Sequence, residues 1–126
     1  MSEAITETTN SPEGTALPIR AIIRNPVDAL PLMQADLVSA TVKVHDSLDG
    51  TQTLNATPSI ASVFYDTPQT ETDWDYDVGF NFRYVVPGSA FPDGGRTYII
   101  TLAAVDAGGN NIRHQWKHTA NEFLGD

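Results

Sequence analysis

A chain of 126 residues is one domain's worth, and its 40% apolar and 18% charged residues suit a folded domain rather than a disordered one. Sixteen carboxylates against seven scattered basic residues leave a formal charge of −9. With no basic stripe to displace counterions from phosphate, nucleic acid and anionic membranes are not expected as partners. The absence of Cys excludes disulfides, thiolate chemistry and Cys-ligated zinc.

The opening run Met1-Ser2-Glu3-Ala4-Ile5-Thr6-Glu7 has neither the basic nor the apolar region of a secretion signal. Nor does any run approach the roughly 18 apolar residues of a membrane helix. The expectation is a soluble protein made in the cytoplasm. Residues 1–16 are Glu, Thr, Ser, Asn, Pro and Gly around an isolated Ile5. Such a segment buries too little to offset an ordering cost of about 1–2 kcal/mol per residue. A flexible N-terminal tail is therefore expected over 1–16, a domain over 17–120 and a short C-terminal tail over 121–126.

Within the domain, Ile19, Ala21 and Ile23 alternate with Arg20, Ile22 and Arg24 as a first strand, ended by Asn25-Pro26. Residues 27–35, bounded by Pro26 and carrying Pro31, suggest a loop with one apolar anchor, Leu30 or Leu32. Val38, Ala40, Val42 and Val44 then fall on one face, with Ser39, Thr41, Lys43 and His45 on the other, the pattern of a half-buried strand. Asp49-Gly50 turns the chain into a hairpin with 51–54. After Thr57-Pro58 the apolar period changes: Ile60, Val63 and Phe64 sit at i, i+3 and i+4, with Thr57 placed to cap. One or two helical turns near 58–65 compete there with a short strand over 62–65.

Three strong strands close the chain. Phe80, Phe82, Tyr84 and Val86 share one face, with Asn81 and Arg83 opposite; Tyr98, Ile100, Leu102 and Ala104 repeat the pattern. Asp106-Ala107-Gly108-Gly109-Asn110 is a strong turn, and Gly108 and Gly109 are its structural residues. The return strand carries Ile112, His114 and Trp116 on one side. Several short strands at this spacing, with no long helical pattern, imply an all-β antiparallel sandwich or barrel.

Candidate chemistry is sparse. Asp73, Asp75 and Asp77 alternate like the opening ligands of an EF-hand calcium loop, but Val78 stands where that loop needs Gly and Tyr84 where it needs a bidentate Glu. A solvated acidic loop is the better reading. His114 and His118 flank Trp116, yet on a strand they lie roughly 13 Å apart at about 3.3 Å per residue, too far to share one metal. Trp116 is expected in the core or at its edge, with the histidines near the sheet ends. Trp74 and Tyr76 lie in polar sequence and are candidates for stacking a glycan or small ligand, against the plainer role of covering one end of the sandwich. No Gly-x-Ser-x-Gly elbow, phosphate loop or His-Glu-x-x-His is present. No catalytic residue, metal or cofactor is expected.

The run Gly95-Arg96-Thr97-Tyr98-Ile99-Ile100-Thr101-Leu102, followed by Asp106-Ala107-Gly108-Gly109-Asn110, resembles the penultimate strand and last hairpin of bacterial immunoglobulin-like and fibronectin-III-like modules. That resemblance covers about a quarter of the chain, and it implies a sandwich of about seven strands in which Tyr98 forms a tyrosine corner. The segment from Trp74 through Gly79-Phe80-Asn81-Phe82, Phe91-Pro92 and Tyr98 to Trp116 is similar, more loosely, to immunoglobulin-like accessory proteins of phage and prophage particles. It implies a non-catalytic structural or protein-interaction module, with protein partners or self-assembly through its sheet edges and the loops 46–51, 87–95 and 106–110. A carbohydrate- or small-ligand-binding module using Trp74 and Tyr76 is the alternative. Titration of the protein with millimolar calcium is expected to give neither heat nor a thermal shift; either response would restore the aspartate trio as a metal site.

Overall fold

The computed structural model describes residues 6–71 and 79–122, with side chains from residue 9 onward. Among these residues the chain forms eight strands and one α-helical turn. In order they are β1 (Thr6–Pro12), β2 (Leu17–Ala21), β3 (Leu37–Asp46), β4 (Gln52–Ala56), α1 (Ile60–Val63), β5 (Phe64–Gln69), β6 (Phe80–Val86), β7 (Arg96–Asp106) and β8 (Asn111–Asn121). They make an all-β sandwich of two sheets, five strands in the order β1-β8-β7-β3-β4 and three in the order β2-β6-β5. All neighbours are antiparallel except β1 and β8, which run parallel.

Period-two alternation explains the core. Tyr98, Ile100, Leu102 and Ala104 of β7 are fully buried, beside Ala40, Val42 and Val44 of β3 and Ile112, Trp116 and Ala120 of β8. The three-stranded sheet answers with Ile19, Ala21, Phe82 and Val86, joined by Val63 and Phe64. The ring of Phe82 lies 5.2 Å from that of Phe64 and 5.9 Å from that of Trp116, linking the two sheets. Each large apolar side chain so buried contributes about 1.5–3 kcal/mol. Phe80 is also buried but lies outside this cluster, edge-on to Tyr65 with the Arg20 guanidinium 6.0 Å from its ring centre.

Four local expectations are corrected. Residues 6–12, expected within a flexible tail, form β1, paired with β8 from Thr6↔Gln115 to Pro12↔Asn121. Backbone pairing and hydroxyl bonds, rather than apolar burial, meet the cost of ordering it. The last strand likewise runs on through Asn121, into the expected C-terminal tail. Val38 is 66% exposed and Leu37 is buried in its place. The register of β3 on β7 shifts between Leu37 and Ser39, and such a bulge turns the preceding side chain to the other face. Around residue 60 the two competing expectations share the segment: a single turn at Ile60–Val63 leads directly into β5, with Ser59 rather than Thr57 at its N-cap.

Asn81 is the polar residue that the alternation put on an outer face and the structure buries at 3% exposure. Its Oδ1 accepts from the Ile23 amide at 2.7 Å, and its Nδ2 donates to the carbonyls of Ile23 at 2.8 Å and Leu32 at 2.9 Å. One amide thereby closes both ends of the loop between β2 and β3, since Leu32 N also donates to Ile23 O at 2.9 Å. Leu32 is the buried apolar anchor of that loop, and Leu30 is exposed. Asn81→Ala leaves three backbone groups without their side-chain partner and is expected to cost about 2–4 kcal/mol. The cost should appear as a lowered urea midpoint at unchanged denaturant slope.

Candidate interaction surface

Strand direction sorts the loops into two ends. β7 runs from Arg96 to Asp106, so the turns preceding and following it lie at opposite ends of the sandwich. The loops 46–51 and 87–95, singled out in the sequence, meet at one end. Thr53 Oγ1 donates to Ala90 O at 2.8 Å, and Ser47 N donates to Thr97 O at 2.9 Å. Arg96 pairs with Asp46 at 2.8 Å and approaches Asp49 at 3.9 Å. The carboxylate of Asp49 is held below the usual range by hydrogen bonds from Thr51, with the Arg96 charge contributing less. Tyr98 closes the same end: its hydroxyl receives the Asp93 amide at 3.2 Å and faces the Asp93 carbonyl at 3.5 Å. Burial raises the Tyr98 pKa.

The third loop, 106–110, lies at the far end and cannot act together with the other two. There Asp106 Oδ1 accepts from Gly108 N at 2.9 Å and Asn110 N at 2.8 Å, while Gly109 takes a φ of +83° that glycine adopts without strain. The bonds from Asn110 lower the pKa of Asp106. Ala107 N donates to Asp36 O at 3.0 Å, which ties this turn to the long β2–β3 loop.

That long loop carries three of the exposed large apolar side chains. Val27 is 89% exposed, Leu30 62% and Met33 49%. The loop is nonetheless tied internally. Asn25 N donates to Leu30 O and Ala29 N to Asn25 O, and Arg24 donates to Ala29 O at 2.9 Å. Two side-chain turns, Val27 N to Asn25 Oδ1 and Leu30 N to Asp28 Oδ1, fix the tip. Ala29 sits at φ +62°, a left-handed conformation that few alanines adopt. The apolar residues of 27–33 were visible in the sequence beside Pro26 and Pro31, but which of them points outward was not.

Asp73, Asp75, Asp77, Trp74 and Tyr76 lie outside the described residues. Their neighbour Glu71 accepts from both Arg20 and Arg83 at 3.1 Å. Among the described residues no group of three or more His, Cys, Asp or Glu side chains could hold a metal ion. His114 and His118 do not lie at the sheet ends; both are buried along β8. His118 is fully enclosed, with Nδ1 2.7 Å from Thr9 Oγ1, Nε2 3.0 Å from Ser11 Oγ, and its ring 4.6 Å from that of Phe91. His114 stacks on Trp116 at 4.6 Å, and neither His114 Nε2 nor Trp116 Nε1 has a hydrogen-bond partner among the described residues.

No protein-family model matches this chain, and neither a curated protein nor a solved structure matches it. What its surfaces do follows from their own chemistry, and for the two histidines that chemistry has a definite sign. Burial lowers the pKa of His118 and takes that of His114 from 6.5 to about 4. Below about pH 6.5 the unfolded chain therefore binds protons that the folded chain does not. Their contribution to stability is complete above that pH and is lost as pH falls towards the folded values. The urea midpoint is expected to fall between about pH 6.5 and 5, above the main carboxylate range. His114→Phe should flatten that slope, and an unchanged slope would count against the buried neutral form.

Proposed function

We propose that this protein is a non-catalytic structural or protein-interaction module with an immunoglobulin-like sandwich, acting as a component of a phage or prophage particle. The strand order supports the immunoglobulin-like reading. The neighbours β8-β7-β3-β4 correspond to the G-F-C-C′ sheet of such domains and β2-β6-β5 to B-E-D, with β1 added on the outside of the G equivalent. Tyr98 supports it as well, since a tyrosine at the start of the F equivalent that bonds back to the preceding corner is a mark of these sandwiches. The departures are the missing disulfide and a core Trp on the last strand rather than on the third.

One observation carries the interaction role: Val27, Leu30 and Met33 project from a loop that is already ordered. Exposing three apolar side chains of one loop disfavours the free protein, and a partner that covers them recovers about 25 cal/mol per Å² of apolar area. Because Asn81 and the internal turns fix the loop beforehand, little entropy remains to be lost on docking. A Cys-free chain fits a particle part assembled in a reducing compartment, where disulfides would not form.

Fractionation of native extracts is expected to find the protein in a multi-protein assembly, and Leu30→Asp should remove it from that assembly. The substitution lies on an exposed position and should leave the melting temperature within a few degrees. A protein recovered only as a free monomer, or a Leu30→Asp variant that still sediments with the assembly, would overturn the proposal.

A further inference from the structure

The parallel strand at the edge of the larger sheet is unlike the other seven. None of residues 9–16 belongs to the apolar core cluster, whose first fully buried member is Ile19. The edge of β8 on which it rests, by contrast, cannot be left bare. It carries His118 and Ala120, both fully buried, and a row of backbone groups from Gln115 to Asn121. Both nitrogens of the buried imidazole find their partners on this strand, at Thr9 and Ser11, alternate residues that point the same way. A separable strand thus fills a slot that needs a strand of its own sequence.

We propose that β1 is an exchangeable strand, and that the β8 edge binds residues 6–12 of a second copy of this chain in place of its own. This rests on the reading of the protein as an interaction module and names the partner as the protein itself. The hinge is short. A turn over 12–15 joins β1 to the opposite sheet, closed by Thr15 N to Pro12 O at 3.3 Å. Gly14 holds it with a φ of +72°, which a β-branched residue strongly resists. If the hinge extends instead of turning, the strand leaves its own sandwich and reaches a neighbour, where every backbone and hydroxyl bond of the slot re-forms. Short hinges favour this kind of exchange; what the hinge must break and re-form are Glu13 N to Asn121 O at 2.8 Å, Gly14 N to Phe91 O at 2.9 Å and Gly94 N to Glu13 Oε2 at 2.7 Å. The charge of −9 on each copy opposes it at long range, and physiological salt screens that repulsion beyond about 8 Å.

The Cys-free chain allows a direct test. Asn10 and Thr119 are register partners across β1 and β8, at a separation that suits a disulfide. The double variant N10C/T119C in one chain should close within the monomer and so report the slot itself. Mixing the single variants N10C and T119C at high protein concentration, then oxidising, should yield dimers whose peptide map joins position 10 of one copy to position 119 of the other. Gly14→Val, whose added Cβ meets nothing within 4 Å, opposes the positive φ of the turn and should raise the dimer fraction several-fold by light scattering. Gly14→Ala should do the same more weakly. If the double variant closes internally while the mixture gives only 10–10 and 119–119 links, exchange is overturned. A Gly14→Val chain that folds and stays monomeric overturns it too. Leu30→Asp leaves this site untouched, so loss of assembly there with exchange intact separates the two proposals.

Discussion

The contact between Phe82 and Trp116 is the one on which the rest of the molecule depends. Phe82 belongs to the middle strand of the three-stranded sheet and Trp116 to the second strand of the larger one, so their rings at 5.9 Å join the layers across the core. Phe64 adds a third ring at 5.2 Å, delivered by the single helical turn that carries the chain into β5. With Phe82 facing inward, its partner Ala21 faces inward too, and with Trp116 inward so does Ile100. Strand pairing transmits the choice of face from residue to residue because side chains alternate with a period of two.

Around this apolar centre the polar interactions that matter sit at the ends of strands, where backbone groups would otherwise be buried unpaired. Asn81 holds the long loop at one end; Tyr98 and the Asp46–Arg96 pair hold the two shorter loops at the other. Asp46 is 5% exposed, and its ion pair and its bond from Leu48 N compensate a desolvation that a lone carboxylate could not bear. The pairs of Glu71 with Arg20 and Arg83 are more open to solvent and contribute little by comparison. Rigid ends on a rigid sandwich place exposed side chains in fixed positions, which is the property a docking surface requires.

The sheet edges differ in how they are guarded. Among the described strands, β2 and β5 bound the smaller sheet and carry Pro18 and Pro68, residues that cannot donate to an added strand. In the larger sheet β4 is short and without charge, while β1 closes the edge of β8. The −9 charge discourages indiscriminate pairing of these edges between copies.

The sequence by itself determined the central strands. Alternation at 38–44, 80–86 and 98–104, the turns at Asp49-Gly50 and Gly108-Gly109 and the absence of any long helical period were enough for an all-β sandwich, because period and turn chemistry are local. Tertiary structure decided everything that depends on a distant partner. Val38 turned outward because β3 bulges against β7; the polar residues 6–12 became a strand because β8 offered an unpaired edge; Asn81 was buried because the ends of a loop some fifty residues away converge on it. The outward Leu30 and inward Leu32 are two residues apart, and the bonds of Asn81 and Ile23 to the Leu32 backbone, with the turn that closes on Leu30, choose between them. Hydrogen bonds between residues far apart in the chain leave no period behind, so the surface this protein presents was set by the fold and not by any pattern in its sequence.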